Sequence, residues 1–146
     1  MKTFSAKPSD VVRKWYVLDA SKVYLGRLST AAASLLIGKG KPSFTSHIDV
    51  GDYVVITNAD KLKVTGNKYS DKKYYRHSGY PGGIYSRSMA EQAKLDSTKV
   101  VKDSVRGMLP VNKLRDARLA RLKVYNGTAH SHSGQNPEVY QVKGVK

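Results

Sequence analysis

The chain has 146 residues and is 40% hydrophobic, which is enough for one domain with a core. Its 26 Lys and Arg outnumber its 11 Asp and Glu, and the net charge of +15 indicates a polyanionic partner, with nucleic acid favoured over an anionic membrane. The absence of cysteine excludes disulfides and thiolate zinc sites, and no apolar run approaches the roughly 20 residues of a membrane span. We therefore expect a cytoplasmic protein.

The first segment, residues 1–13, is polar and basic and contains Lys2 and Lys7. A segment of this composition buries too little surface to become ordered alone, so we expect an extended arm that orders on a partner. The apolar run Trp15–Ala20 follows without alternation. Such a run predicts a strand buried on both faces, as in a parallel sheet covered by helices.

A helix is predicted next, from the spacing of its apolar residues. Its apolar face consists of Leu28, Ala31, Ala32 and Leu35. Gly38 is placed to end it, and Arg27 lies near its start, where a cation opposes the helix dipole unless a phosphate binds there. The run Gly38–Lys41 is similar to part of a phosphate-binding loop, but it follows a helix and not a strand. We therefore expect Arg27, Lys39 and Lys41 to contact RNA backbone and not a nucleotide.

The second strand is predicted at Tyr53–Asn58, which is rich in β-branched residues. Asp49 and Asp52 precede it, and two carboxylates could indicate a metal-dependent nuclease. They lie before the strand, however, whereas open α/β sheets keep their active sites beyond the carboxyl ends of the strands. We expect Asp49 and Asp52 to be caps or turn residues.

A basic, tyrosine-rich hairpin is predicted in the middle of the chain. Strands are expected near Lys73–His77 and Ile84–Arg87, joined by the turn Tyr80–Gly83, and another turn is expected at Thr65–Lys68. Cations supply phosphate contacts, rings stack on unpaired bases, and glycines let the backbone approach a ligand. The alternative is a solvated loop with its tyrosines in the core. The predicted RNA contacts are Lys68, Lys72, Lys73, Tyr75, Arg76, His77, Tyr80, Gly82 and Gly83.

Three helices are predicted after the hairpin. They are Met89–Leu95, residues 98–108 with Asp96 or Ser97 as cap, and Asn112–Arg121 with Asn112 as cap. The second carries a stripe of basic residues that is either an ordinary solvent-exposed face or an RNA contact. It lacks the aromatic apolar face that is typical of helices at a membrane surface. In the third, arginine recurs at every third position, and the planar guanidinium suits phosphate. The predicted RNA contacts on these helices are Lys99, Lys102, Arg106, Lys113, Arg115, Arg118 and Arg121.

The last strand is predicted at Leu122–Tyr125. His130 and His132 could be taken for a metal pair, but no cysteine or carboxylate lies nearby, so we expect no metal and place both with Lys123 among the RNA contacts. Strands and helices alternate, which predicts an α/β fold in three layers, a parallel sheet with helices on both faces. We expect a single RNA-binding domain at 1–146, with a globular core at 14–130 and a tail at 131–146.

Eight runs carry a resemblance to one family. They are Lys2–Pro8, Trp15–Ala20, Leu25–Thr30, Gly51–Val55, Val64–Lys68, Tyr74–Gly83, Val105–Pro110 and Leu122–Tyr125. Taken in order, they resemble the bacterial type of the ribosomal protein L13 family, from Met1 to about Pro137. The chain departs from the family pattern at Ile37, Gly40, Arg115, Asp116 and Ser131.

The resemblance implies a four-stranded parallel sheet between helices and a structural role without catalysis. It implies binding to 23S-type rRNA in the large ribosomal subunit, early in subunit assembly and beside other large-subunit proteins. No cofactor, small-molecule substrate or homo-oligomer is expected. The residues alone leave two alternatives: a nuclease or phosphoryl-transfer enzyme, which would need clustered carboxylates or a nucleotide loop, and a nonspecific DNA-binding protein.

Overall fold

The computed structural model describes residues 4–142, so the predicted contact Lys2 and the last four positions of the predicted tail lie outside the described residues. The strands are β1 (Trp15–Asp19), β2 (Tyr53–Thr57), β3 (Lys73–His77), β4 (Ile84–Ser88), β5 (Leu122–Val124) and β6 (Glu138–Val139). The helices are α1 (Leu25–Ile37), α2 (Lys68–Asp71), α3 (Met89–Met108) and α4 (Arg115–Ala120). Short 3-10 turns lie at Pro8–Asp10, Ala59–Lys61 and Ser133–Gln135.

The central sheet has four strands in the order β5-β2-β1-β6, and every neighbouring pair is parallel. One row of residues runs straight across it, from Val139 through Val17 and Val55 to Lys123. The predicted α/β fold with a four-stranded parallel sheet is therefore confirmed. The sequence pattern did not reveal β6, because this strand has two exposed residues and is defined only by its pairing with β1.

One face of the sheet carries the main core. Leu18, Ile56 and Leu122 point to this face and pack with buried residues of α1 and α3 in a single hydrophobic cluster. The buried residues from α1 include Leu25, Leu28, Ala32 and Leu36, and those from α3 include Val100, Val101 and Val105. The helix face predicted for α1 is thus largely correct, although Ala31 and Leu35 lie at its half-buried margin.

The opposite face of the sheet is aromatic. The rings of Trp15 and Tyr53 stack with centroids 4.2 Å apart, and His132, from the segment after β5, lies 4.9 Å from the Trp15 ring. Alternation of side chains along a strand puts these residues opposite the core that contains Leu18 and Val54.

The ends of the helices follow their local chemistry. Gly38 ends α1 as predicted, with a φ of 83° that an L side chain would resist, and its N–H donates to the carbonyl of Ser34 at 3.0 Å. The two helices predicted on either side of Asp96 form one element, α3, which is kinked at that residue. The Asp96 carboxylate accepts hydrogen bonds from the N–H and hydroxyl of Thr98, so Asp96 is the cap of the second part.

Two local predictions need correction. Asn112 does not cap a helix: its side-chain oxygen accepts from the N–H of Leu114 at 3.1 Å in a turn, and α4 begins only at Arg115. The predicted turn at Thr65–Lys68 is followed by the short helix α2, which the sequence pattern did not show. Both differences concern helices of six residues or fewer, for which periodicity gives little signal.

Candidate nucleic-acid interface

The cations of this chain fall into two groups, one internal and one on the surface. The internal group surrounds Asp49. One carboxylate oxygen of Asp49 accepts from Nη2 of Arg121 at 2.7 Å, and the other accepts from Nη1 of the same residue. Nε of Arg118 lies 3.7 Å from Asp49, and Nη2 of Arg13 lies 3.9 Å from it. One carboxylate is thus the counter-charge of three arginines.

Asp52 is the counter-charge of a fourth cation, the half-buried Lys41. The ammonium of Lys41 lies 2.6 Å from the Asp52 carboxylate, and it also donates to the carbonyls of Val12 and Val50, each at 2.9 Å. The same Asp52 oxygen accepts from the backbone N–H of Lys14 at 2.8 Å. The three donors of the Lys41 ammonium are therefore used within the protein.

These contacts correct several predictions. Arg118 and Arg121 are not on an exposed face, since only 2% and 7% of their surfaces are accessible. Residues three apart share one face of a helix, and this face of α4 packs against the carboxyl end of α1, where Nη2 of Arg121 donates to the Leu36 carbonyl at 3.1 Å. Asp49 and Asp52 are the partners of buried cations and not helix caps. Lys41 is likewise engaged inside the fold.

The environment of Asp49 keeps it ionised. Burial by itself would raise the pKa of this carboxyl, but the hydrogen bonds from Arg121 and the charges of Arg121 and Arg13 have the larger combined effect. The pKa of Asp49 therefore lies below its ordinary value of 3.8.

The surface group of cations is concentrated on the β3–β4 hairpin and α3. The predicted hairpin is confirmed, and its register places Tyr74 opposite Arg87 and Arg76 opposite Tyr85. Residues directly opposite each other share a face of the pair, so one face alternates tyrosine and arginine in both directions. The predicted contacts Lys73, Tyr75 and His77 lie on the other face, with Ile84 and Ser86.

A groove separates the tyrosine–arginine face from α3. It has a volume of about 540 Å³, and its lining includes Tyr74, Arg76, Tyr85, Arg87, Gln92, Lys99 and Asp103. Tyr75 and Ser86, from the other face of the hairpin, also reach it. Tyr74 is half-buried there, and burial, followed by the charge of Asp103, raises the pKa of its hydroxyl. Tyr85 and Arg87 are not among the contacts predicted from the sequence. The signal that could have found them is the Tyr-Ser-Arg alternation on the return strand, which repeats the pattern of β3.

The predicted basic stripe of α3 is exposed along its length, at Lys99, Lys102 and Arg106. Within residues 4–142, none of these three side chains and none of the hairpin cations lies within ion-pair distance of a carboxylate. Because these cations form no ion pairs there, a polyanion from outside can neutralise them.

The hairpin turn is open to solvent. Tyr80 is 76% exposed, which contradicts the alternative in which the hairpin tyrosines all enter the core. Gly82 has a φ of 71°, and a Cβ on Gly83 would lie 2.9 Å from the backbone carbonyl oxygen of Tyr80. Both glycines are therefore required by the backbone of the turn itself. The N–H of Gly79 donates to Nδ1 of His77 at 2.9 Å, so one nitrogen of this imidazole is already engaged.

The remaining predicted contacts have varied surroundings. Lys7, Arg27, Lys39, Lys68, Lys72 and Lys113 are exposed, whereas Arg115, Lys123 and His130 are half-buried. Nε2 of His132 lies 3.0 Å from the Tyr125 hydroxyl, and its ring packs on Trp15. In the part of the chain that the structure describes, no group of three or more His, Asp or Glu residues could hold a metal ion. The helices found there are also too short or too polar to cross a membrane.

Comparison with known proteins gives one consistent result. The family model described as Ribosomal protein L13 matches residues 13–131. The chain is 51% identical over 143 residues to a protein of Neisseria gonorrhoeae named Large ribosomal subunit protein uL13, with 98% of this chain and 100% of that protein covered. Proteins of the same name from Laribacter hongkongensis and Listeria welshimeri are 53% and 52% identical over 142 residues, and each match covers 97% of this chain. The Laribacter match covers 100% of that protein, and the Listeria match 98%.

Proposed function

Because the chain belongs to the ribosomal protein L13 family, we propose that it binds large-subunit rRNA directly and supports early assembly of the subunit. It is a structural component of the large ribosomal subunit and not an enzyme, as its relatives are structural ribosomal proteins. The whole chain acts as one RNA-binding domain, with residues 1–13 as its arm, 14–130 as its core and 131–146 as its tail.

The observation that supports RNA binding most strongly is the separation of the two groups of cations. Asp49 and Asp52 balance the charges of Arg13, Lys41, Arg118 and Arg121 within the protein, and Arg118 and Arg121 are buried as well. The cations of the hairpin and α3 have no such partners in the described structure, and three of them, Arg76, Arg87 and Lys99, line one groove. Phosphates of RNA supply the missing counter-charges, and the release of their condensed counterions favours binding.

The exposed aromatic residues of the hairpin fit the same proposal. Tyr80 is exposed in a turn that contains Gly82 and Gly83. Tyr75 lies on the same face of β3 as Lys73 and His77. An unpaired base of RNA can stack on such a ring, and the neighbouring cations can neutralise the phosphates on either side of that base. Lys7, Arg27, Lys39, Lys113, Arg115, Lys123, His130 and His132 remain proposed contacts of the same kind.

Neighbouring large-subunit proteins are the second class of proposed partner. At the carboxyl end of α3, Phe44, Met108 and Val111 are exposed around a groove that Ile37 and Leu109 also line. Exposed apolar side chains that form a patch are common where another protein packs. A protein partner at this place would leave the basic surface of the hairpin free for RNA.

The experiment is a comparison of equilibrium affinities at one fixed salt concentration. The probes are a structured fragment of large-subunit rRNA and a DNA duplex of equal length, each titrated with the full chain. We expect tighter binding to the rRNA, and a log–log salt dependence of roughly −0.7 to −0.9 for each neutralised phosphate. Equal affinity for the two probes would indicate nonspecific nucleic-acid binding, and a slope near zero would contradict an electrostatic interface.

A further inference from the structure

The groove between the β3–β4 hairpin and α3 has the properties of a binding site for an unpaired stretch of RNA. We infer that a base enters this groove and stacks on Tyr85, while Arg76, Arg87 and Lys99 neutralise the phosphates on either side. This inference rests on the proposed function, and it adds which form of RNA the surface takes and which residues select it.

The first support is the arrangement of rings and guanidinium groups. On the groove face of the hairpin, the cross-strand pairs are Tyr74 with Arg87 and Arg76 with Tyr85. Each ring therefore has a guanidinium directly across the strand pair, at the spacing of adjacent strands. A nucleotide presents a flat base and a charged phosphate close together, so a surface that alternates rings and cations matches both parts of a single strand.

The second support is the shape of the groove. Residues of α3, among them Gln92 and Lys99, form its far wall, and its volume of about 540 Å³ lies in the range of pockets that enclose small molecules, about 300–1,000 Å³. A concave site of this size admits one or two nucleotides but not a double helix. An RNA duplex displays its bases only along its grooves, whereas unpaired bases can leave the stack and enter a pocket.

The third support is the charge balance. Three cations, Arg76, Arg87 and Lys99, line the groove against one acid, Asp103, and no ion pair forms among them within the described residues. Tyr85 is 63% exposed, so its ring is accessible without any rearrangement of the fold. The site is therefore positive, open and aromatic before any ligand arrives.

The test uses the full chain and two forms of one probe, a short single-stranded RNA that carries one 2-aminopurine, and the same RNA annealed to its complement. We expect the single strand to bind more tightly and its fluorescence to change on binding as the 2-aminopurine stacks. Tyr85→Ala should weaken single-strand binding roughly 5- to 100-fold, the equivalent of one lost stacked base, and should leave duplex binding nearly unchanged. Tyr85→Phe keeps the ring and should bind like the unmodified chain.

Ile84→Ala is the matched control, because Ile84 is the adjacent residue, has the same exposure of 63% and lies on the other face of the hairpin. The inference is overturned if Tyr85→Ala loses no more affinity than Ile84→Ala, or if it weakens single-strand and duplex binding equally. Failure of the proposed function has a different result, namely no preference of the unmodified chain for rRNA over duplex DNA. Thermal melting of each variant shows whether the fold is intact.

Discussion

Arg121 makes a bidentate ion pair with Asp49, a residue 72 positions earlier in the chain. The same guanidinium donates to the Leu36 carbonyl at 3.1 Å, so one side chain joins the start of β5 to the loop before β2 and to the end of α1. A planar guanidinium can do this because its five donors point in fixed directions. Part of the positive charge of this chain therefore stabilises the fold, and only the rest is available to a partner.

The first prediction concerns stability, and it follows from the separation of the internally paired cations from the exposed, unpaired ones. Arg121→Ala removes one partner of a buried pair and should lower the free energy of unfolding by about 3 kcal/mol or more, as measured by urea denaturation. Arg106→Ala is the control, because Arg106 is exposed on α3 and has no carboxylate partner within the described structure. That variant should melt like the unmodified chain but bind rRNA more weakly. Equal losses of stability in Arg121→Ala and Arg106→Ala would contradict this separation of structural from exposed cations.

A second prediction concerns acid. The pKa of Asp49 lies below its ordinary value of 3.8, so its ionised form is favoured by folding. The contribution of ionised Asp49 to the free energy of unfolding is fully present above the pKa that the carboxyl has in the unfolded chain. It is lost as the pH falls through the lower pKa of the folded protein. Asp49→Asn should therefore flatten the decline of stability below about pH 4, as measured by urea denaturation at a series of pH values. Parallel pH profiles for Asp49→Asn and the unmodified chain would contradict this role.

A third prediction concerns the backbone beside the ion pair. A Cβ on Gly51 would lie 1.7 Å from the Leu36 carbonyl oxygen and 3.0 Å from Nη2 of Arg121. Gly51→Ala must therefore push α1 away from the loop, and we expect a loss of about 2 kcal/mol or more in chemical denaturation. Gly40→Ala provides the comparison, because nothing lies within 4 Å of a Cβ there. Similar stability of the two variants would show that the close approach is not required.

The sequence predicted those parts of the fold that have a local signal. The apolar runs of β1 and β2, the stop at Gly38 and the two hairpin strands all follow from spacing and turn chemistry, and Asp96 has the side chain of a helix cap. The resemblance to a family added the number of strands. Local chemistry could not reveal β6, because two residues carry no period and the pairing partner lies more than a hundred residues earlier.

The sequence predicts that the candidate site is rich in cations and tyrosines. It does not predict which cations are exposed or which residues the strand pairing brings together. Arg118 and Arg121 have the spacing of a basic stripe, and only the position of Asp49 in space shows that they are internal. A charge pattern gives no sign of which carboxylate will lie next to it after folding. The same limit explains why Tyr85 and Arg87 were missed, since their importance comes from the cross-strand neighbours Arg76 and Tyr74.

The most direct test of the account is the salt dependence of rRNA binding for two matched double variants. Lys99→Gln with Lys102→Gln removes two exposed charges from the basic stripe of α3. Lys14→Gln with Lys22→Gln removes two that already pair with Glu138 and Asp19, at 3.6 and 3.8 Å. We predict that the first pair lowers the slope of log affinity against log salt by about 1.5 and that the second leaves it unchanged. An equal loss of slope in both would show that net charge, and not this surface, holds the RNA.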